Sequence, residues 1–243
     1  MAPDFRQPHH LPKRRGDAPG PPPGLPRQRR GVVPQGRGRY PDYDVLERAG
    51  HWDEVTRRLV LDRVERPPPI RFFDADEATT LSAFCDTVTA QDAEPRIPVL
   101  AYVDDKLHSG KLDGYQHAGM PDDREVWRRV ARGLDDAARE RGPESFAAAP
   151  ADVRREIVGA FADGELSSGV WEEMPPEKAW SVVMRAVLGA FYSHPWAWNE
   201  IGFGGPAYPQ GYARMGVGQS EGWEGAEAFS VDPVGDVQER GVE

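Results

Sequence analysis

The sequence has little cysteine and no long apolar stretch. Cys85 is the single cysteine among 243 residues, which excludes an intramolecular disulfide framework and any cysteine-rich metal or iron–sulfur site. The longest apolar run covers residues 186–192, far short of the ~20 residues that a helix needs to cross a bilayer. We therefore expect a soluble protein without a transmembrane segment.

Positive charge is scarce outside the first forty residues. The chain carries 30 Lys and Arg against 40 Asp and Glu, a net charge of −10, yet residues 1–40 hold nine basic residues and only two acidic ones. The remainder therefore carries about −17, and a body this acidic repels phosphate backbones. The charge distribution argues against nucleic-acid binding by the body of the protein.

Both ends of the chain have the composition of disordered tails. Residues 1–41 contain ten prolines and few aliphatic residues, so they cannot bury enough apolar surface to offset the entropy lost on ordering. We assign 1–41 to a basic disordered tail, 42–225 to a folded domain and 226–243 to an acidic disordered tail. A basic tail can bind anionic surfaces, so an adaptor protein is one functional alternative.

Apolar residues in the body recur at helical spacing. Asp74 and Glu77 have the spacing of a capping box, and Leu81, Phe84 and Cys85 follow on one face of the helix behind them. Because Cys85 lies on this apolar stripe, we expect a buried structural thiol. Further helices are predicted at 53–65, at 98–110, from 121, at 150–162 and from 175. The fold class is all-α, a compact helical bundle with a long irregular C-terminal segment rich in aromatic residues, Gly and Pro.

The helical pattern also assigns individual side chains. The apolar face of the first helix is expected to consist of Val55, Leu59, Val60 and Val64. In the fourth helix, Asp135 and Asp136 are expected on the solvated face. His194 directly precedes Pro195, and we expect it to cap the C-terminus of the sixth helix as an imidazolium that interacts with the helix dipole.

An aromatic segment follows the sixth predicted helix. Seven residues between positions 191 and 212 are aromatic, on a backbone that glycine and proline keep irregular: Phe191, Tyr192, Trp196, Trp198, Phe203, Tyr208 and Tyr212. Either these rings fold back and cap the bundle, or they form a surface for another protein, since aromatic anchors are typical of interface cores. The residues alone support both interpretations equally, and the two are compatible.

The same segment contains a superficial match to a dinucleotide-binding fingerprint. Gly202-Phe-Gly204-Gly-Pro-Ala207 has the glycine spacing, but that fingerprint needs a strand before it and a helix N-terminus after it. Pro206 and Pro209 remove backbone donors that a phosphate would require. We therefore predict no cofactor site here.

Catalytic and metal-binding patterns are equally absent from the sequence. The body histidines show no close metal-ligand spacing, and the acidic doublets direct neighbouring carboxylates to diverging sides of a helix. We expect no catalytic, cofactor-binding or metal-binding residue in this chain. The alternative is a stand-alone helical enzyme in which His194 acts with Tyr192 and Glu200 as acid–base groups.

Three stretches of the body occur together in one known family. They are the helix beginning Phe72-Phe-Asp-Ala-Asp-Glu-Ala-Thr-Thr-Leu81, the Phe146-Ala147 pair, and above all Phe191-Tyr-Ser-His-Pro195 with Gly202-Phe-Gly-Gly-Pro-Ala-Tyr-Pro-Gln-Gly-Tyr212. Over residues 72–212 the sequence thus resembles the subunit 3 family (small or gamma subunit) of gluconate 2-dehydrogenase.

The resemblance implies a small helical accessory subunit. Such a subunit pairs with a large FAD-binding oxidoreductase of the glucose–methanol–choline type, which oxidises a sugar, a sugar acid or an alcohol, and a cytochrome c subunit sometimes completes the complex. The small subunit carries neither flavin nor catalytic residues and supports maturation or secretion of its partner. The resemblance therefore favours a partner surface in the aromatic segment, formed by Tyr192, His194, Pro195, Trp196, Trp198, Asn199, Gly202, Phe203, Gly204, Gly205, Pro206, Tyr208, Pro209 and Tyr212.

The location of the complex follows from a departure from the family. Many members carry a twin-arginine export signal, whereas neither Arg14-Arg15 nor Arg29-Arg30 is followed by the apolar stretch of roughly 7–15 residues that such a signal needs. We expect a cytoplasmic protein, with export alongside its partner as the alternative.

Overall fold

The computed structural model describes residues 40, 43–92, 94–111, 114, 116–214 and 221–225. Within these ranges the chain is helical and has no strand, which confirms the all-α prediction. The helices are α1 (Glu54–Glu65), α2 (Ala75–Val88), α3 (Val99–Ser109), α4 (Asp123–Glu140), α5 (Ala151–Ala162), α6 (Pro176–Phe191) and α7 (Pro195–Glu200), with 3₁₀ helices at Val45–His51 and Gly169–Glu172. The two predicted tails lie outside the described residues, apart from Tyr40. No helix in the described part of the chain is long and apolar enough to cross a membrane.

The helix ends follow local sequence signals. The predicted capping box at α2 is present, because the Asp74 carboxylate accepts the N–H of Glu77 and the Glu77 carboxylate accepts the N–H of Asp74. Asp122 caps α4 in a similar way by accepting from Arg124 and Glu125. At its C-terminus, α3 ends at Gly110 with φ +70°, a left-handed conformation that glycine adopts without strain.

The described residues form two compact units. The larger unit contains residues 66–193 and hence α2 to α6, and the smaller unit contains residues 40–65 together with 194–225. In the larger unit α2 packs against α3, α4 and α5, while α6 packs against α3, α4 and α5. In the smaller unit α7 packs against α1 and against the first 3₁₀ helix.

Aromatic and aliphatic side chains fill the core of the larger unit. The Phe161 ring lies 4.8 Å from the Trp171 ring and 6.1 Å from the Phe84 ring, measured between centroids. Leu81, Val130, Leu134 and Ile157 are completely buried around α2, α4 and α5. Cys85 is also buried in this core, as the sequence predicts, and burial raises the pKa of its thiol well above the usual range.

Two aspartates tie the helices of the larger unit together. Asp104, completely buried, accepts the backbone N–H groups of Arg71 at 2.7 Å, Phe72 at 2.9 Å and Phe73 at 3.0 Å. It therefore fixes the segment before α2 onto α3. Asp135 accepts the Thr80 hydroxyl and the Phe146 N–H, both at 2.9 Å.

The bonds of Asp135 overturn one sequence prediction. The pattern places this carboxylate on the solvated face of α4, yet its Oδ1 holds both α2 and the loop before α5. A period of 3.6 residues identifies a polar position, but it cannot tell whether the polar group finds a buried donor.

The smaller unit begins with the 3₁₀ helix and α1. The Asp53 carboxylate accepts the N–H of Thr56 at 2.8 Å and so starts α1. The predicted apolar face of α1 is half wrong: Val60 and Val64 are buried, but Val55 is 80% and Leu59 is 59% exposed. Leu61 is buried instead, because the buried face of α1 is rotated toward positions 60, 61 and 64.

Candidate functional site

The aromatic segment folds back into the smaller unit. We call residues 194–214 and 221–225 the C-terminal segment. It contains α7 and an irregular stretch with turns at 201–202 and 208–210, and it packs against residues 40–65.

His194 starts α7 and does not cap the helix before it. Its Nδ1 accepts the N–H of Trp196 at 3.2 Å, and Pro195 occupies the first helical position, where no N–H is needed. Burial lowers the pKa of His194 from 6.5 to about 3, against the opposing effect of a hydrogen bond with the Arg63 backbone. The imidazole is therefore neutral at neutral pH, and the predicted imidazolium cap is wrong.

The burial of His194 also bears on the enzyme alternative. The side chain is 1% exposed, and its ring lies edge-on to the Trp196 ring with 4.8 Å between centroids. A general acid or base must reach the proton that it transfers. His194 instead has the environment of a structural cap.

Asn199 connects α7 to the beginning of the folded chain. Its Oδ1 accepts the N–H of Val45 at 2.6 Å, and its Nδ2 donates to Asp44 Oδ1 at 3.2 Å. The same Asp44 oxygen accepts the N–H of Leu46 and so caps the first 3₁₀ helix. The buried Asn199 amide thus links α7 to the start of the first 3₁₀ helix.

Glycines in the C-terminal segment leave room for aromatic rings. A β-carbon on Gly202 would lie 2.5 Å from the Tyr40 ring, and one on Gly204 would lie 2.2 Å from the Trp223 ring. Both distances are shorter than real carbon contacts, so the two rings lie directly against bare backbone. The Gly-Phe-Gly-Gly sequence therefore serves ring packing.

The Arg48 side chain, from the first 3₁₀ helix, contacts the irregular stretch of the C-terminal segment at two places. Its guanidinium is 4.5 Å from the centroid of the Trp223 ring, and Nη1 donates to the Trp223 carbonyl at 3.2 Å. Nη2 donates to the side-chain oxygen of Gln210. Burial lowers the pKa of Arg48 below its ordinary value, and it raises that of Tyr43, whose hydroxyl lies 3.4 Å from the Trp223 carbonyl.

An exposed carboxylate holds the turn that carries Trp223. Glu221 Oε1 accepts the backbone N–H groups of Ala213 and Arg214, each at 2.5 Å, and these bonds lower the pKa of Glu221. Within the turn, the N–H of Glu224 donates to the Glu221 carbonyl at 3.0 Å. Tyr212 then lies against Trp223, with 5.0 Å between ring centroids.

The predicted partner-surface residues separate into two groups. The buried group consists of His194, Pro195, Trp196, Trp198, Asn199, Gly202, Gly204 and Gly205, and Pro206 and Pro209 are half-buried. The exposed group consists of Tyr192, Phe203, Tyr208 and Tyr212, of which Tyr208 is 67% exposed. Tyr192 belongs to the larger unit and the other three to the smaller one. The C-terminal segment thus packs some of its rings within the smaller unit and leaves others exposed, and the partner surface stays a prediction.

Sequence reasoning missed the residues that complete the site. Tyr40 was assigned to the basic tail, and Tyr43, Arg48 and Trp223 belonged to no motif. A signal existed for Trp223, since Glu221-Gly-Trp-Glu-Gly225 repeats the glycine–aromatic alternation of 202–205. Arg48 carried no signal, because its role depends on a partner 175 positions away.

The site offers hydrogen-bond donors more than reactive groups. Four buried donor atoms of the smaller unit have no hydrogen-bond partner among the described residues: Arg48 Nε, Trp52 Nε1, Trp196 Nε1 and Gln210 Nε2. Among the described residues, no group of three His, Cys, Asp or Glu side chains is arranged to hold a metal ion. The smaller unit thus brings aromatic rings, buried hydrogen-bond donors and the Arg48 guanidinium close together.

A shallow groove of about 420 Å³ lies in the larger unit along α2. Asp86, Arg96 and Arg154 border it, and Arg96 Nη1 lies 2.5 Å from Asp86 Oδ2. Burial raises the pKa of Asp86, while Arg96 acts in the opposite direction. The charges of Asp86 and Arg96 offset each other, so Arg154 leaves this groove with a net charge of +1.

Comparison with known proteins gives one match. The model of a protein family described as gluconate 2-dehydrogenase subunit 3 matches residues 75–205, more than half of the chain. The match extends from α2 through α7 to the glycines at 202–205, and it confirms the family resemblance seen in the sequence. No curated protein and no solved structure matches the chain.

Proposed function

Because the chain belongs to the gluconate 2-dehydrogenase subunit 3 family, we propose that it is a non-catalytic small subunit that assists the assembly of a larger dehydrogenase subunit. The family name identifies a component of a multi-subunit dehydrogenase complex. We propose further that the partner is an FAD-binding oxidoreductase of the glucose–methanol–choline type, acting on a sugar, a sugar acid or an alcohol. In this proposal the flavin belongs to the partner, and a cytochrome c subunit can complete the complex.

The observation that carries the docking role is the exposure of rings on an ordered scaffold. Phe203, Tyr208 and Tyr212 lie within ten residues of one another, and each is at least 39% exposed. Aromatic side chains of this kind bury roughly 150–250 Å² each on association and dominate the energy of many interfaces. Their backbone is held by the Tyr40 ring against Gly202 and by the Arg48 bond to Gln210, so little freedom is lost when a partner binds.

The deeper residues of the segment support the surface from below. Trp196 and Trp198 are each 5% exposed, so their rings are already packed within the unit. The Trp198 ring contacts the Phe203 ring edge-on with 5.6 Å between centroids. We therefore assign direct partner contact to the exposed rings and a positioning role to the buried ones.

Co-expression with the large flavoprotein subunit tests the proposed function. The full chain should co-elute with that subunit and should increase the yield of its folded, flavin-loaded form. Elution of the chain as a stable monomer, with no change in yield, would contradict the proposal.

Substitutions then test the surface. Tyr208→Ala should weaken the complex by about 2 kcal/mol or more if the ring is a central anchor, because hot-spot rings cost this much when truncated. Leu59→Ala is the matched control, since Leu59 is a similarly exposed apolar residue of the same unit outside the C-terminal segment. Equal effects of both substitutions would remove the docking assignment from the C-terminal segment.

A further inference from the structure

The turn at 221–225 lies on the smaller unit much as a bound peptide would. Its Trp223 ring contacts the bare backbone of Gly204 and the guanidinium of Arg48, and its carbonyl accepts from Arg48 Nη1. One main-chain hydrogen bond, from the Gly225 N–H to the Gly202 carbonyl at 3.1 Å, continues this contact. Ring packing combined with hydrogen bonds to the main chain is typical of peptides bound to proteins.

The turn is held by side-chain contacts and single hydrogen bonds and lacks the repeated hydrogen bonds of a helix. It belongs to no helix, and Trp223 itself is only half-buried. The bonds between Glu221 and the backbone of Ala213 and Arg214 come from a carboxylate open to water, where competition with solvent weakens them. The turn can therefore leave its place at modest cost compared with a helix of the core.

The residues beneath the turn remain incompletely satisfied. Arg48 and Gln210 are each 9% exposed, and within the described part of the chain Arg48 Nε and Gln210 Nε2 have no hydrogen-bond partner. Buried donors without an acceptor raise the free energy of the state that contains them. An occupant that brings an additional acceptor would fit this place better than Trp223 does.

We propose that Trp223 is an internal substitute for a partner segment, and that an aromatic residue flanked by a carboxylate on the large subunit replaces it on assembly. The aromatic side chain would lie on Gly204 and below Arg48, and the carboxylate would accept from Arg48 Nε and Gln210 Nε2. This inference rests on the proposed function, because it names the chemistry by which the same surface recognises its partner.

A small-molecule experiment tests the site without the partner. In the full-length Trp223→Ala variant the vacated place should bind N-acetyl-L-tryptophan, detected as a rise in the melting temperature. N-acetyl-L-tryptophanamide should bind about fivefold more weakly, because the charged acceptor gains more from an arginine than a neutral one does. The preference should disappear when Arg48→Met is added, and wild-type protein should bind neither compound tightly. No stabilisation of the variant, or equal stabilisation of wild type, would overturn the proposal.

Affinity for the large subunit provides the second test. Releasing the turn should strengthen binding, because the competent state no longer competes with an internal occupant. We expect about a tenfold lower Kd for Trp223→Ala and also for Glu221→Ala, which removes the bonds between the turn and residues 213–214 but leaves Gly204, Arg48 and Gln210 unchanged. Glu144→Ala, which removes an exposed acid of the larger unit, is the control.

An unchanged or higher Kd for both variants would overturn the proposal that a partner segment displaces Trp223. If the chain binds no large subunit at all, the proposed function fails, whereas the small-molecule result still decides whether the site exists.

Discussion

The indole of Trp171 lies in the place that a β-carbon on residue 133 would occupy. A β-carbon on Gly133 would be 2.6 Å from two carbons of the Trp171 ring. This contact joins α4 to the 3₁₀ helix Gly169–Glu172. It explains why a residue that weakens helices stands in the middle of the 18-residue α4.

Gly133→Ala should therefore destabilise the protein although alanine favours the helix. The propensity gain is about 1 kcal/mol, whereas overpacking against a buried ring costs about 1–3 kcal/mol and here requires the indole to move. We expect a net loss of unfolding free energy in urea titration. Gly159→Ala in α5 and Gly189→Ala in α6 are matched controls, because a β-carbon at either position meets nothing within 4 Å. Both should stabilise the protein, and a stabilised Gly133→Ala would refute the packing argument.

Asp104→Ala should destabilise the larger unit far more than Asp105→Ala. Removing the Asp104 carboxylate leaves the N–H groups of Arg71, Phe72 and Phe73 without their acceptor, at a cost of about 3 kcal/mol or more. Among the described residues Asp105 forms an exposed ion pair with Arg71, and the loss of such a pair should cost less than about 1 kcal/mol. Equal midpoints in chemical denaturation would show that the three bonds contribute nothing net.

The neutral state of His194 predicts a pH dependence of stability. Its pKa in the folded protein, about 3, lies below the unfolded value of 6.5, so the unfolded chain binds the proton more readily. The contribution of His194 is complete above pH 6.5 and falls by about 1.4 kcal/mol per pH unit as the pH decreases toward 3. Unfolding free energies between pH 7 and pH 4.5 measure this slope.

His194→Asn provides the reference for that slope. Asparagine is a strong N-cap residue and can accept the Trp196 N–H, but it does not titrate. Carboxylates contribute equally in both proteins and cancel in the difference. The stability difference between wild type and variant should shift with pH by the predicted slope, and a constant difference would mean that His194 is not buried as a neutral group.

Gly204→Ala should expel the Trp223 ring. The added β-carbon would lie 2.2 Å from a ring atom, so the turn must move away from Arg48. We expect increased acrylamide quenching of tryptophan fluorescence and faster amide exchange at 221–225. Gly222→Ala, where the β-carbon meets nothing within 4 Å, should leave both signals unchanged.

Cys85 should be unreactive in the folded protein. Its burial in the core and its raised pKa leave almost no accessible thiolate, which is the reactive form. A thiol reagent such as Ellman's reagent should label the native chain far more slowly than the chain unfolded in guanidinium. Rapid labelling of the native protein would contradict the described core.

Periodic and capping signals predicted the larger unit well. Asp74 with Glu77 located the start of α2, and the apolar spacing found the helices at 98–110 and 150–162 within one or two residues. These signals are local, since a helix records its buried face and its first turn in adjacent residues. The family was also predicted correctly, because the motif between residues 191 and 212 is long and distinctive in sequence.

The smaller unit resisted prediction for a physical reason. A proline often marks the end of a helix, but Pro195 starts α7. His194, predicted as a C-terminal cap, is therefore an N-cap. The exposure of Val55 could not be inferred, because α1 is apolar at more positions than its neighbours can cover. Arg48, Asn199 and Trp223 act through contacts between distant stretches, and no local pattern encodes such contacts.

The bond between Asn199 and the Val45 N–H determines when the smaller unit can fold during synthesis. These residues are 154 positions apart, so the smaller unit cannot close until residue 199 has left the ribosome. A prematurely terminated product would contain α2 to α5 yet lack the surface that carries Tyr208 and Tyr212. Under the proposed function, a product that stops before residue 194 could not dock, because it lacks these exposed rings and the Asn199 amide that holds their unit together.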